Sequence, residues 1–259
     1  INCPGYSGYD FNWTGAGGNS NWNTAANWAG GVVPTTTDVA AFQDTYCGAN
    51  CNAVMNVNVD IKGLQMLSPY SGTITQASGV TVAVGTTGWT QAAGTFAGGN
   101  ANVTVAGGMN FSAGTFTSTS AMLQVRNTTT IAGTYNHNNG KLRLGADYNT
   151  NRNISLGTLT LRDLEFYSES SYDSYQINLT GTVAVLGDLS FTRFDGGAPG
   201  AIYGGTLNVS GNITSNINYY GSMVVRAVGS TSQTISGTTT SAYIPNLVIA
   251  STGGTVSVS

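Results

Sequence analysis

Apolar and polar residues alternate along most of this chain in runs of three to five positions. Val57-Asn58-Val59-Asp60-Ile61, Val80-Thr81-Val82-Ala83-Val84, Val103-Thr104-Val105, Leu123-Gln124-Val125 and Leu142-Arg143-Leu144 all place apolar residues at every second position. A period of two puts neighbouring side chains on opposite faces of a strand, so each run predicts a short strand with one face in a core. The Gly, Asn, Ser and Thr clusters between the runs predict corners. No useful length of the chain carries the 3.6-residue period of an amphipathic helix.

A second pattern sets the runs in order. Gly72-Thr73-Ile74, Gly94-Thr95-Phe96, Gly114-Thr115-Phe116, Gly133-Thr134-Tyr135, Gly157-Thr158-Leu159, Gly181-Thr182-Val183 and Gly205-Thr206-Leu207 recur at intervals of 22, 20, 19, 24, 24 and 24 residues. Self-similarity at this period marks a chain that winds one coil per repeat. The predicted fold is all-β: a single parallel β-helix, or β-solenoid, of about eight coils spanning residues 54–259. Adjacent coils would be held at roughly 4.8 Å by ladder hydrogen bonds. Each Thr of a Gly-Thr pair would then stack on the Thr of the next coil. Gly254-Thr255-Val256 reads as an eighth copy, and the 32 residues from Gly205 to Gly237 read as a coil with a loop insertion around Tyr219-Tyr220.

Residues 1–53 differ. They contain Trp13, Trp22 and Trp28 at intervals of 9 and 6, which fit neither a strand face nor a helix face, and they hold Cys3, Cys47 and Cys51. This segment is expected to be a loop-rich cap whose indoles cover one end of the solenoid, since a terminal coil has no neighbour to hide its core. The pattern Trp13…Trp22…Asn27-Trp28-x-Gly30-Gly31-x-Val33-Pro34…Asp38…Phe42, followed by Gly-Thr coils, resembles the start of secreted bacterial β-solenoid surface proteins, namely autotransporter passengers and haemagglutinin-like adhesins. The resemblance implies a right-handed parallel β-helix exported to the cell surface for adhesion or structure. It carries no shared catalytic residues.

Composition narrows the function classes. Charged residues are only 7% of the chain and the net charge is −3, with Lys62 and Lys141 the two lysines. Nucleic acid binding needs clustered cations to displace counterions, and none are clustered here. No apolar run approaches the ~20 residues of a membrane-spanning helix, so neither nucleic acid nor membrane insertion is expected. Low charge also removes a common barrier to self-association. The three cysteines allow a Cys47–Cys51 bridge or a bridge from Cys3 to either, with one thiol left over. Zinc would need a fourth ligand, and the only histidine, His137, lies 86 residues beyond Cys51. No metal or cofactor is expected. A disulfide would place the chain in an oxidising, extracytoplasmic compartment, and Ile1 in place of an initiating Met is read as processing.

Candidate chemistry is sparse. Parallel β-helices include polysaccharide lyases and glycosidases, and glycoside hydrolysis needs two carboxyls roughly 5–10 Å apart. Asp163 and Asp188, 25 residues apart, are the best candidate pair for meeting by stacking, but each reads better as a solvated corner residue or one accepting from backbone amides at a turn. Glu165-Phe166-Tyr167-Ser168-Glu169, with Tyr172 and Tyr175 following, gathers acids and aromatics that could stack on a sugar. Tyr167, Glu169, Tyr172 and Tyr175 are therefore the expected ligand patch. His137 reads as a polar turn residue, and the sequons at Asn12, Asn102, Asn110 and Asn178 follow from composition. No nucleotide, hydrolase or calcium motif is present.

The expected function is a non-enzymatic extracellular structural or adhesive protein, a homo-oligomer or homopolymer joined through solenoid ends. Thr255, Val256 and Val258 at one end, and Trp13 and Trp22 at the other, are the expected self-association residues. The alternatives are a β-helix that binds or cleaves a surface glycan, and a fragment of a giant adhesin.

Overall fold

Short β-branched and aromatic runs broken every few residues by glycine favour strands too brief to stand alone, and here they are stabilised by pairing in parallel with the next coil. The computed structural model describes residues 11–146, 151–168, 176–192, 200–216, 219–237, 244 and 246–259. Parallel strands stacked as a β-solenoid of about nine turns form nearly all of it. Helix is limited, among the described residues, to one α-turn at Asp44–Cys47 and a 3-10 turn at Ala25–Asn27. The chain divides into two compact units, residues 1–123 with 132–138, and residues 124–131 with 139–259.

In the first unit each coil contributes to three strand columns. One is a five-stranded sheet of Ala53–Met55, Thr73–Gln76, Thr95–Ala97, Thr115–Thr117 and Thr134–Asn136, in that spatial order. Its register is Thr73↔Thr95↔Thr115↔Thr134, so the expected threonine ladder is present. The other two columns share the long strands Val59–Met66 and Val82–Gln91, which turn a corner part-way. Their first halves align Val59↔Val82↔Val103, and their second halves align Leu64↔Trp89↔Met109. The corner in Val82–Gln91 is at Gly88 (φ +81°), where an added Cβ would strike the Gly108 carbonyl, so no other residue fits.

The interior follows from the alternation. Ile74, Phe96 and Phe116 are fully buried behind the threonine ladder. Phe96 and Phe116 lie 4.9 Å apart, and Phe116 stacks on Tyr135 at 5.9 Å with the planes within 7°. Each buried Phe contributes on the order of 1.5–3 kcal/mol relative to exposure. Strand pairing already begins inside the segment expected to be a cap, because Val39–Phe42 pairs with Gly63 to Met66 and Phe11–Asn12 pairs with Ala40 and Ala41.

The second unit also has three columns. Leu142↔Leu164↔Leu189↔Ile213↔Ile235↔Val258 runs through one of them, and Ile154↔Leu179 belongs to another. The Gly-Thr column is Thr182↔Thr206↔Val224↔Asn246, with Gly157 beside Gly181. Two expectations are corrected here. The coil after Thr206 is continued by Val224 and not by Gly237, so the 32-residue interval is no coil length. Gly254-Thr255-Val256 is not a copy of the earlier sites, because Val256 pairs with Gln233 in a different column. The reason is that all three corners of a coil suit glycine, and a Gly-Thr pair does not identify which corner it occupies.

Candidate functional site

The outer face of the second unit carries the densest group of charges among the described residues. Lys141–Ala146 and Asp163–Ser168 pair so that Lys141 lies beside Asp163, Arg143 beside Glu165 and Gly145 beside Tyr167. Leu189–Thr192 adds Ser190 beside Glu165 and Thr192 beside Tyr167. Leu164 and Phe166 are fully buried on the inner side, so period two sends Glu165 outward. Glu165 is nevertheless only 3% exposed.

Its carboxylate is well compensated. Oε2 accepts from Arg143 Nε at 3.0 Å and from Lys141 Nζ at 3.2 Å, while Oε1 accepts a short hydrogen bond from the Thr192 hydroxyl. Burial alone would push the Glu165 carboxyl upward. The hydrogen bonds from Thr192 and Arg143 and the charges of Lys141 and Arg143 outweigh it and hold the group below the ordinary glutamate range. Arg143 also caps the Tyr167 ring, with Cζ 4.7 Å from the centroid. Of the expected ligand patch, the structure places Tyr167 here, half-buried under a guanidinium; Glu169, Tyr172 and Tyr175 lie outside the described residues. Sequence reasoning named Glu165 only as part of an acidic, aromatic run. Its partners Lys141 and Arg143 are one coil away, and only the register brings them together.

Asp163 and Asp188 lie in adjacent coils, as their spacing implied, and each carboxylate serves the backbone of the coil after it. Asp163 Oδ1 accepts from the amide of Asp188 at 2.8 Å, and Asp188 Oδ1 accepts from the amide of Asn212 at 2.8 Å. This is a corner ladder running from coil to coil, with each carboxylate taking up an amide of the coil after it. One oxygen of each carboxylate is taken up in this way.

Around the cysteines, Cys47 and Cys51 are disulfide-bonded, with Cα atoms 4.9 Å apart, and Cys3 lies outside the described residues. Asp44 is close enough to complete a three-ligand group with both sulfurs. Bonded sulfurs are poor metal donors, so the geometry fits a disulfide and not a metal centre. The turn carrying them is tied to a neighbouring loop. Asp44 Oδ1 accepts from Ser71 N at 2.8 Å, and the Tyr70 hydroxyl donates to the Cys51 carbonyl at 2.7 Å. Burial raises the Tyr70 hydroxyl above the ordinary phenol range, with a smaller push from Asp44. A polar hollow of about 320 Å³ lies beside this loop, lined by Gly15, Ser20, Asn50 and Asn52 among others.

The tryptophans expected at a self-association surface are interior. Trp13 and Trp22 are 0% and 1% exposed. Both meet Trp28 edge to face, at 5.1 and 4.6 Å, over Phe42. Trp13 Nε1 donates to the Asn50 carbonyl at 3.0 Å and Trp28 Nε1 to the Trp22 carbonyl at 2.8 Å. Their ring faces pack against one another and Phe42 within the chain. Thr255 precedes the strand Val256–Val258, which pairs with Gln233–Gly237; Val258 is 78% exposed. Comparison with protein-family models, with curated proteins and with solved structures found no match. The resemblance of the tryptophan segment therefore stands on its own residues.

Proposed function

We propose that this chain is a non-enzymatic, secreted structural or adhesive protein whose solenoid coils add in register to those of further copies. The observation that carries the reading is how the polar side chains are used. The Asp163–Asp188–Asn212 ladder and the Glu165 cluster bind one coil to the next. Carboxylates spent on coil-to-coil bonds support a load-carrying role over a catalytic one. The Cys47–Cys51 bridge favours an oxidising location outside the cytoplasm.

Self-association through strand addition is supported by the strand Val256–Val258 and its neighbour Asn246–Ile249. Val258 in one column and Val248 and Ile249 in another are 78%, 39% and 55% exposed, apolar side chains that an added in-register strand would cover. Head-to-tail addition that does not close produces a filament. Electron microscopy and light scattering of the concentrated chain test this. Ordered filaments lost on Val258→Asp are expected, and monodisperse monomers at high concentration would overturn the reading.

A glycan-binding role is the second reading, favoured by Arg143 and Tyr167 on an outer face beside a buried carboxylate. A glycan array separates the two, with Tyr167→Ala as the diagnostic variant.

A further inference from the structure

On the outer side of the five-stranded sheet, Thr73, Thr95, Thr115 and Thr134 stand in one unbroken row, each paired with the next. Two positions along the strands a second row holds Thr75 and Thr117, separated by the methyl of Ala97. Ile74, Phe96 and Phe116 between the rows are fully buried, so the threonines point outward. No outward position on these strands carries a charge.

This surface is regular in two directions. Rungs of a parallel sheet repeat at about 4.7–4.9 Å, and residues i and i+2 on one strand lie about 6.6 Å apart. Threonine is stiff at χ1, so a row in one backbone conformation repeats its hydroxyl and methyl positions. Sheets normally twist, and stacked side chains are what hold them flat. Behind the rows Phe116 and Tyr135 form such a stack, and Phe96 lies 4.9 Å from Phe116 at a tilt of 30°.

Crystalline water has matching repeats. Tetrahedral oxygens joined by O–H···O bonds of about 2.75 Å place second neighbours about 4.5 Å apart and repeat along the stacking axis at about 7.3 Å. Both spacings of the threonine face agree with these to within about a tenth. A charged side chain would impose its own hydration shell on the lattice; here the hydroxyls can take lattice positions and the methyls can sit in the gaps. A ligand that repeats indefinitely also suits a site that repeats by coil.

We propose that this threonine face binds the surface of ice. The inference goes beyond the structural reading and does not depend on self-association. The test is partition of the purified chain into a slowly grown ice hemisphere, alongside inhibition of ice recrystallisation. The wild-type chain is expected to be enriched in ice at least fivefold over serum albumin. Thr95→Lys and Thr115→Lys are expected to fall to the albumin level, whereas Thr90→Lys, in another column, keeps the enrichment. Far-UV circular dichroism reports whether each variant is folded, and the wild-type arm decides by itself if a lysine variant is not. Exclusion of the wild type from ice, equal partition of the folded lysine variants, or binding only to crystalline cellulose or chitin would each overturn the proposal.

Discussion

Replacing Glu165 by Gln keeps the volume of the side chain and removes its charge from a site where it is only 3% exposed. The amide oxygen can still accept from Thr192 and from Arg143 Nε, so the loss is the charge-assisted part of those bonds. Hydrogen bonds to a charged group contribute about 1.5–3 kcal/mol and neutral ones about 0.5–1.5 kcal/mol, so the two bonds together lose about 2–3 kcal/mol. The Lys141 ammonium adds little, since that side chain is 41% exposed and exposed pairs contribute about 0–1 kcal/mol. The amides of Asp163–Ser168 should therefore exchange with solvent about 30- to 150-fold faster in Glu165→Gln at pH 7, at tenfold per 1.4 kcal/mol. Local exchange is the suitable assay because repeat arrays need not unfold in one step. The effect must also depend on pH. A carboxyl held below its unfolded value contributes stability that is fully present above about pH 4.3 and is lost as pH falls through the folded value. The ratio of variant to wild-type exchange, taken at each pH, should shrink on going from pH 7 to pH 3. A ratio that stays constant across that range, or that is near one at pH 7, would refute the compensation described for Glu165.

Two further outcomes are expected. Gln233 is buried, its Nε2 donates to the carbonyls of Val209 and Gly211 and its Oε1 accepts from Gly229 N, so Gln233→Leu strands three backbone groups at about 1–3 kcal/mol each and should lower the urea midpoint of the second unit; an unchanged midpoint would mean water replaces the amide. The Cys47–Cys51 bridge closes a loop with a sequence separation of 4, for which chain entropy gives about 2 kcal/mol, so Cys47→Ser with Cys51→Ser should lower the Tm by several degrees and make it insensitive to reductant. A wild-type Tm that ignores reductant would count against that bridge.

The fold was legible at short range. Alternation at Val57–Ile61 or Val103–Val105 sets which side chains face the core whatever the partner strand, and four Gly-Thr sites did mark one column, because identical threonines in register favour that stacking. The same logic failed at Gly254-Thr255-Val256, where the local motif is equal but the corner is not. Trp13 and Trp22 show the limit again: their spacing suggests a covering segment, while their complete burial depends on Trp28 and Phe42 packing against them. Likewise, the sequence offered Asp163 and Asp188 as stacked corner residues binding amides, but not that each would take the amide of the coil after it.

The sequence by itself determined that this chain is built from half-buried strands, with about one coil per 19–24 residues, few charges and glycine at its corners. Those properties are local, set by strand periodicity and by the conformations open to each residue. Only the tertiary structure decided which Gly-Thr sites share a column, which cations neutralise Glu165, and that six threonines from four coils form one uncharged face. Each of these is a relation between coils. A shift of a single residue in parallel register would reverse which side chains face the core and undo them all.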